Sequence, residues 1–290
     1  MSELLSSPAG GITASDSQRH RQLDAEKERP SPPRKGRRRE ALTDVVLGTL
    51  GLLIAVVAWE VASRTGIVDN RYASSPTGVF DAGGEYVTSD LFFRDLEASG
   101  HVFLVGFGLA IVVGITLGLI LGWFRRLGQL SSYVLSVGNA SPRIAIVPVL
   151  ILWFGIGAQT RIALVFLISV FPVLLSTIGA VRSIDASLLT VARSFNASHF
   201  QILRTIVLPA SVPSIVSGIR IGLGMALVGV VVAEFLVASA GLGYRMQYAA
   251  SLYNTDLLYA ALIVVAAAGV IFSVLLEKLE NRFDSWRPKR

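Results

Sequence analysis

Residues 183–234 read SIDASLLTVARSFNASHFQILRTIVLPASVPSIVSGIRIGLGMALVGVVVAE. The first half is polar and weakly amphipathic. From Pro213 onward the chain is apolar apart from Arg220, until Glu234 closes the run. Just upstream, residues 162–181 are uncharged between Arg161 and Arg182. A helix needs roughly 20 apolar residues to cross a bilayer core, so the stretch reads as a polar connector between two membrane spans. Within the connector, Asp185 suits an N-cap for a helix starting near Ala186. Leu188, Leu189, Ala192 and Phe195 recur at helical spacing on one face. Asn196 tolerates a left-handed turn better than most residues. A second short helix is expected over about 198–206. Leu208-Pro209 should end it, because proline disfavours helical geometry in the residue before it.

Composition extends this reading to the whole chain. Of 290 residues, 52% are hydrophobic and 16% charged, with a mean hydropathy of +0.61. Globular proteins carry about 25% charged residues, so a polytopic membrane protein is indicated. The net charge of +6 is unevenly spread, which argues against nucleic acid as a partner. There is no cysteine, hence no disulfide framework and no thiolate metal site. His20, His101 and His199 are too scattered to suggest a metal centre.

Residues 1–40 are rich in Ser, Pro, Arg and Lys and cannot bury a core. They predict a disordered basic tail ahead of one transmembrane domain over 41–290. A secretory signal needs an apolar run nearer the start, so the first apolar run is read as a retained span. Six spans are expected, making an all-α polytopic membrane bundle. They cover 45–63, 102–124, 130–154, 162–181, 213–234 and 257–276. The third contains Asn139, Pro142, Arg143 and Pro148, so it should be kinked or broken, with its polar stretch away from lipid. Nine Lys or Arg precede the first span, and Arg125, Arg126, Arg182, Arg193 and Arg204 fall on the same side. The other side holds Arg64, Arg71, Arg94, Arg161 and Arg245 and an acidic first loop. That bias puts both termini and the 183–209 connector in the cytoplasm. Gly114, Gly118 and Gly122 recur every four residues, as do Gly218 and Gly222, marking faces for close helix packing.

The connector resembles the coupling loop of membrane permeases from binding-protein-dependent, ATP-driven importers. In that family Glu-Ala-Ala is followed by three residues, Gly, nine residues, Ile, one residue and Leu-Pro. Here Thr190-Val191-Ala192 stands for Glu-Ala-Ala, Asn196 for the Gly, and Ile206 and Leu208-Pro209 fall in register. The acid and the glycine of the pattern are absent. From about residue 72 to 286 the chain is similar to the sulfonate, taurine and nitrate branch. The similarity shows in Ser75-Pro76-Thr77, Leu152-Trp153-Phe154-Gly155-Ile156-Gly157 and Ser239-Ala240-Gly241-Leu242-Gly243-Tyr244. The resemblance implies the six-span fold of a type I importer permease. It implies a permease homodimer on an ATPase dimer, fed by an extracytoplasmic binding protein and carrying a small anionic solute. It also implies that the loop docks into the ATPase, with Ala192 and Ala197 allowing close approach.

No Gly-x-x-x-x-Gly-Lys-Ser/Thr stretch is present, so ATP hydrolysis belongs to another chain. No catalytic triad or paired carboxylates stand out, and no cofactor is expected. Asn139, Ser141 and Arg143 cluster beside Pro142 within a span and are the candidate translocation path, since intramembrane polar groups mark such paths. An arginine there suits an anion; alternatively Arg143 snorkels or pairs with a neighbouring subunit. Glu234 suits a cap or ion pair near the membrane interface. Tyr244, Tyr248 and Tyr253 suit a short helix lying at the outer surface. Two other readings remain open. One is a secondary transporter or channel working without an ATPase, which would need coupling residues deep in its spans. The other is a membrane-anchored scaffold.

Overall fold

The computed structural model describes residues 34–67 and 69–283. The chain divides into two compact units, 1–58 and 59–290, and every side-chain contact discussed below lies in the second. Helix α1 spans Arg34–Arg64, so residues 34–40 of the expected tail are helical; residues 1–33 lie outside the described residues. Then follow α2 (Asn70–Ala73), α3 (Pro76–Val87), α4 (Asp90–Trp123), α5 (Arg125–Ala140), a 3-10 turn (Arg143–Ile146), α6 (Val147–Phe154) and α7 (Ala158–Arg182). After them come α8 (Ala186–Ser194), α9 (His199–Ile202), a π turn (Leu203–Val207), α10 (Leu208–Val237), α11 (Leu242–Ser251) and α12 (Thr255–Phe283). The described residues contain no strand.

Among the described residues five helices are long and apolar enough to span, and α5 with the 3-10 turn and α6, bent by 92°, makes a sixth if the pair is one span. The expected break in the third span is therefore a near right angle at Ser141-Pro142. Two boundaries differ from the sequence reading. Helix α4 starts at Asp90, where Ser89 caps the Phe92 N–H, so the acidic residues 90–97 are helical rather than loop. The fifth span does not begin afresh after Leu208-Pro209. It runs unbroken from His199 to Val237. Pro209 sits in the first turn of α10, where a missing N–H costs least, and the π turn before it takes up the extra residue.

Helix α7 is the centre of the bundle. Gly106, Gly114, Gly118 and Gly122 of α4 lie against Val165, Val173, Thr177 and Val181, at steps of eight, four and four residues on both helices. A Cβ at Gly118 would come within 2.5 Å of Thr177 Cβ. On the other side a Cβ at Gly218 of α10 would meet Ser176 Cβ at 2.5 Å and the Pro172 carbonyl at 3.2 Å. Lipid supplies no hydrophobic drive between helices, so such small-residue faces hold them by close van der Waals contact. Val102, Phe107, Ala110, Val165, Leu223 and Ala226 fill the buried core among the three.

Candidate functional site

The loop after α7 is built from interlocking caps. Asp185 accepts the Ser187 N–H at 2.8 Å, and this bond holds its carboxyl below the usual carboxylate range. The cap therefore loses its charge at a lower pH than a free aspartate would. At the far end of α8, Asn196 takes φ 55. Its N–H donates to Arg193 O at 2.9 Å, and the Ala197 N–H donates to Ala192 O at 3.1 Å. Those two bonds form a Schellman closure, with Asn in the left-handed position that glycine usually fills. Ser198 then opens the next helix with a reciprocal capping box to Gln201. These local bonds fix the loop's shape.

The faces of α8 separate. Leu189, Ala192, Ala197 and Ile206 pack half-buried against Val181, Ile202 and Val207 of the same chain. Ala192 and Ala197 thus face their own bundle, not the outside. Leu188, Val191, Phe195 and Phe200 are exposed, Phe195 by 83%. Thr190 is exposed and donates its hydroxyl to Ala186 O at 2.9 Å. Leu208 is 39% exposed, and Pro209 beside it continues the helix. The single apolar face expected over Leu188, Leu189, Ala192 and Phe195 is thus split, because α8 turns one edge inward and leaves the other bare.

The structure brings Asn139 and Arg143 together at the bend between α5 and α6. The Arg143 guanidinium donates to Asn139 Oδ1 at 2.8 Å, to Asn139 O at 3.0 Å and to Ile168 O at 3.4 Å. It also lies 4.8 Å over the Phe171 ring. The Ile168 carbonyl is available because Pro172, four residues on in α7, has no N–H to donate. Arg143 thereby ties the bend of one span to the proline of the next. Among the described residues no carboxylate pairs with it, and its buried Nε–H has no partner. Ser141 does not join the cluster; its hydroxyl donates to Val137 O at 2.7 Å.

A polar network at the opposite end of the spans was only partly legible. Asp95, 1% exposed, accepts from the Gly241 N–H at 2.9 Å, Tyr86 Oη at 2.8 Å and Arg245 Nε at 2.8 Å. Glu234, fully buried, accepts from Ser99 Oγ and the Gly243 N–H, both at 2.7 Å, and lies 3.9 Å from Arg161. Ser99 Oγ also accepts the Leu242 N–H at 2.8 Å. Burial, and then the hydrogen bond to Asp95, push the Tyr86 phenol up, so it remains a donor. Burial opposes the Arg245 charge, but the hydrogen bond and charge of Asp95, together with Tyr86, outweigh it and raise the pKa. The two carboxylates clamp 240–245 onto α4 and α10. The expected surface helix is α11, with Tyr244 and Tyr248 stacked at 6.2 Å. The position of Glu234 at a span end was the only sequence signal, and Asp95 had none.

The model of a family described as binding-protein-dependent transport system inner membrane component matches residues 110–285. The chain is 30% identical over 240 residues to the aliphatic sulfonates transport permease protein SsuC of Bacillus subtilis (strain 168), covering 83% of this chain and 87% of that protein. It is 28% identical over 245 residues to the taurine transport system permease protein TauC of Escherichia coli (strain K12), covering 83% and 88%. Among solved structures, a chain of the MetNI methionine ABC transporter in an inward facing conformation aligns with a TM-score of 0.57 at 20% identity. That alignment covers 68% of this chain and 97% of the other, and the likeness is one of fold.

Proposed function

Since this chain belongs to the binding-protein-dependent transport system inner membrane component family, we propose how it serves as the permease component of an ATP-binding-cassette importer. Two copies form the translocation path and rest on a dimer of separate ATPase subunits. A binding protein outside the membrane delivers the solute. Both termini and the 183–209 loop are cytoplasmic, as the basic asymmetry of the chain supports. The solute is a small anion of the sulfonate class. The names of the two relatives support this, as does a guanidinium at Arg143 that no carboxylate neutralises among the described residues. Asn139 and Ser141 contribute neutral polar groups beside it.

One observation carries the coupling role: a doubly capped loop with bare Leu188, Val191, Phe195 and Phe200 continues directly into a 39-residue helix. The bare face docks into the ATPase. The inner face, with Ala192, Ala197 and Ile206, keys the loop to its own spans. Thr190, Asn196 and Leu208-Pro209 hold its shape. ATP-driven movement of the ATPase then shifts the population between inward- and outward-open states through this rigid contact.

Phe195→Glu tests this, because a charge buried without a partner is costly while an exposed side chain has no role in folding. The variant should reach the membrane at normal level and melt as the parent does. It should lose most of its co-purifying ATPase and its substrate-stimulated ATP hydrolysis. Normal transport with the ATPase bound would reduce the loop to a connector.

A further inference from the structure

Behind the loop, at the same end of the spans, lies a hollow of about 1330 Å³. Its walls carry Arg125 and Arg126 from α5, Arg182 from the end of α7, Arg193 from α8 and His199 from α9. No Asp or Glu lines it. Among the described residues none of these four guanidinium groups makes a hydrogen bond or an ion pair. Arg182 reaches in over Gly128, where any Cβ would strike the guanidinium. Thr190 also lines the hollow. The one position in the loop where an acid would have balanced the charge thus holds a hydroxyl, already spent on Ala186 O.

Four cations converging without a counter-ion repel one another, and the repulsion is relieved when an anion sits between them. The rest of the wall says which anion. Trp123, Leu127, Val181 and Val207 give it an apolar side, and His199 meets the Trp123 ring edge-on at 6.1 Å. Trp123 and Arg182 are the last residues of two spans, which sets the hollow at headgroup depth. Guanidinium groups bind phosphate in pairs of parallel hydrogen bonds. Basic pockets between spans at this depth suit acidic lipid headgroups.

We infer that the hollow between α5 and the α8–α9 loop is a phosphate site, occupied by the headgroup of an anionic phospholipid whose acyl chains start along the apolar wall. The inference concerns lipid rather than transport and stands whether or not the loop couples to an ATPase. Occupancy would brace the loop from behind, on the side where Leu189 and Ala192 face the bundle.

Native mass spectrometry of the full-length permease in detergent tests it, with phosphatidylglycerol, phosphatidylcholine and inorganic phosphate as probes. Phosphatidylglycerol should be retained about tenfold more tightly than phosphatidylcholine, whose choline cation the arginines repel. Arg126→Gln with Arg193→Gln, which strips one cation from each wall, should erase that preference. Arg126→Lys with Arg193→Lys should keep most of it, separating charge from folding. Arg94→Gln, at the other end of α4, should change nothing. Displacement of the lipid by millimolar phosphate would keep the phosphate site and assign it to a soluble anion. Equal retention of the two lipids overturns the inference. So does a preference that the Gln pair leaves intact, even if that pair sheds the ATPase, since an acidic side chain of the ATPase would then be the occupant.

Discussion

At Asn196 a single residue decides whether the loop closes. Its φ of 55 costs an ordinary L-residue about 1–2 kcal/mol, and Asn less because its short side chain is compatible with that region. Asn196→Gly should therefore be neutral or slightly stabilising, and Asn196→Val should cost about 1–2 kcal/mol. The Ala197 amide, bonded to Ala192 O, reports the difference. Its hydrogen exchange should be unchanged or slower in the glycine variant and about tenfold faster in the valine variant. This turn was legible because its chemistry is local: one residue type, one backbone region. Asp95 was not. It stands among acidic neighbours in sequence, and its partners Gly241 and Arg245 lie about 150 positions away. Nothing in the spacing distinguishes it from the exposed acids beside it. Arg143 falls between the two cases. Its polarity inside a span announced a special position, but the clamp depends on a carbonyl that Pro172 frees in a different helix.

Among the elements, hydropathy located the spans and their order, since each needs an uninterrupted apolar run whatever its neighbours do. It failed at the ends. Residues 90–97 carry four charges among their leucines and phenylalanines, so hydropathy ended the span before them, yet Ser89 caps a helix that includes them. Leu208-Pro209 reads as a stop, yet Leu203–Val207 forms a π turn and the helix passes through. A π turn amounts to one inserted residue in an α-helix. Deleting Thr205 should restore regular α geometry. It should also rotate α9 and the loop by about 100° relative to α10, the angle one residue subtends. The variant should insert and pack its spans normally, because the glycine contacts at Gly218 and Gly222 lie beyond the deletion. It should fail to couple, with ATP hydrolysis no longer raised by loaded binding protein in proteoliposomes. Unimpaired stimulation would mean that the π turn is incidental.

For the whole molecule, the cysteine-free chain makes topology directly measurable. Ser194 in α8 and Ser251 in α11 are both exposed at opposite ends of the spans. In spheroplasts an impermeant maleimide should label Ser251→Cys and leave Ser194→Cys unmodified until the membrane is opened; the reverse pattern inverts the orientation. The three short motifs that carried the resemblance also gather at one end of the bundle. Ser75 caps α3, Gly155 and Gly157 turn the chain into α7 with positive φ, and 240–243 closes on Asp95, Ser99 and Glu234. The unbroken helix from His199 to Val237 joins that end to the loop, and at 1.5 Å per residue it is a rod about 58 Å long. Its tightest bearing on α7 is Gly218, nineteen residues from either tip. A rod pivoted at its midpoint is an equal-arm lever. A tilt of about 5° there would move each tip about 2.5 Å in opposite senses. A push on the loop would therefore arrive, little diminished and reversed, at Glu234, which holds the turn at the far end of the spans.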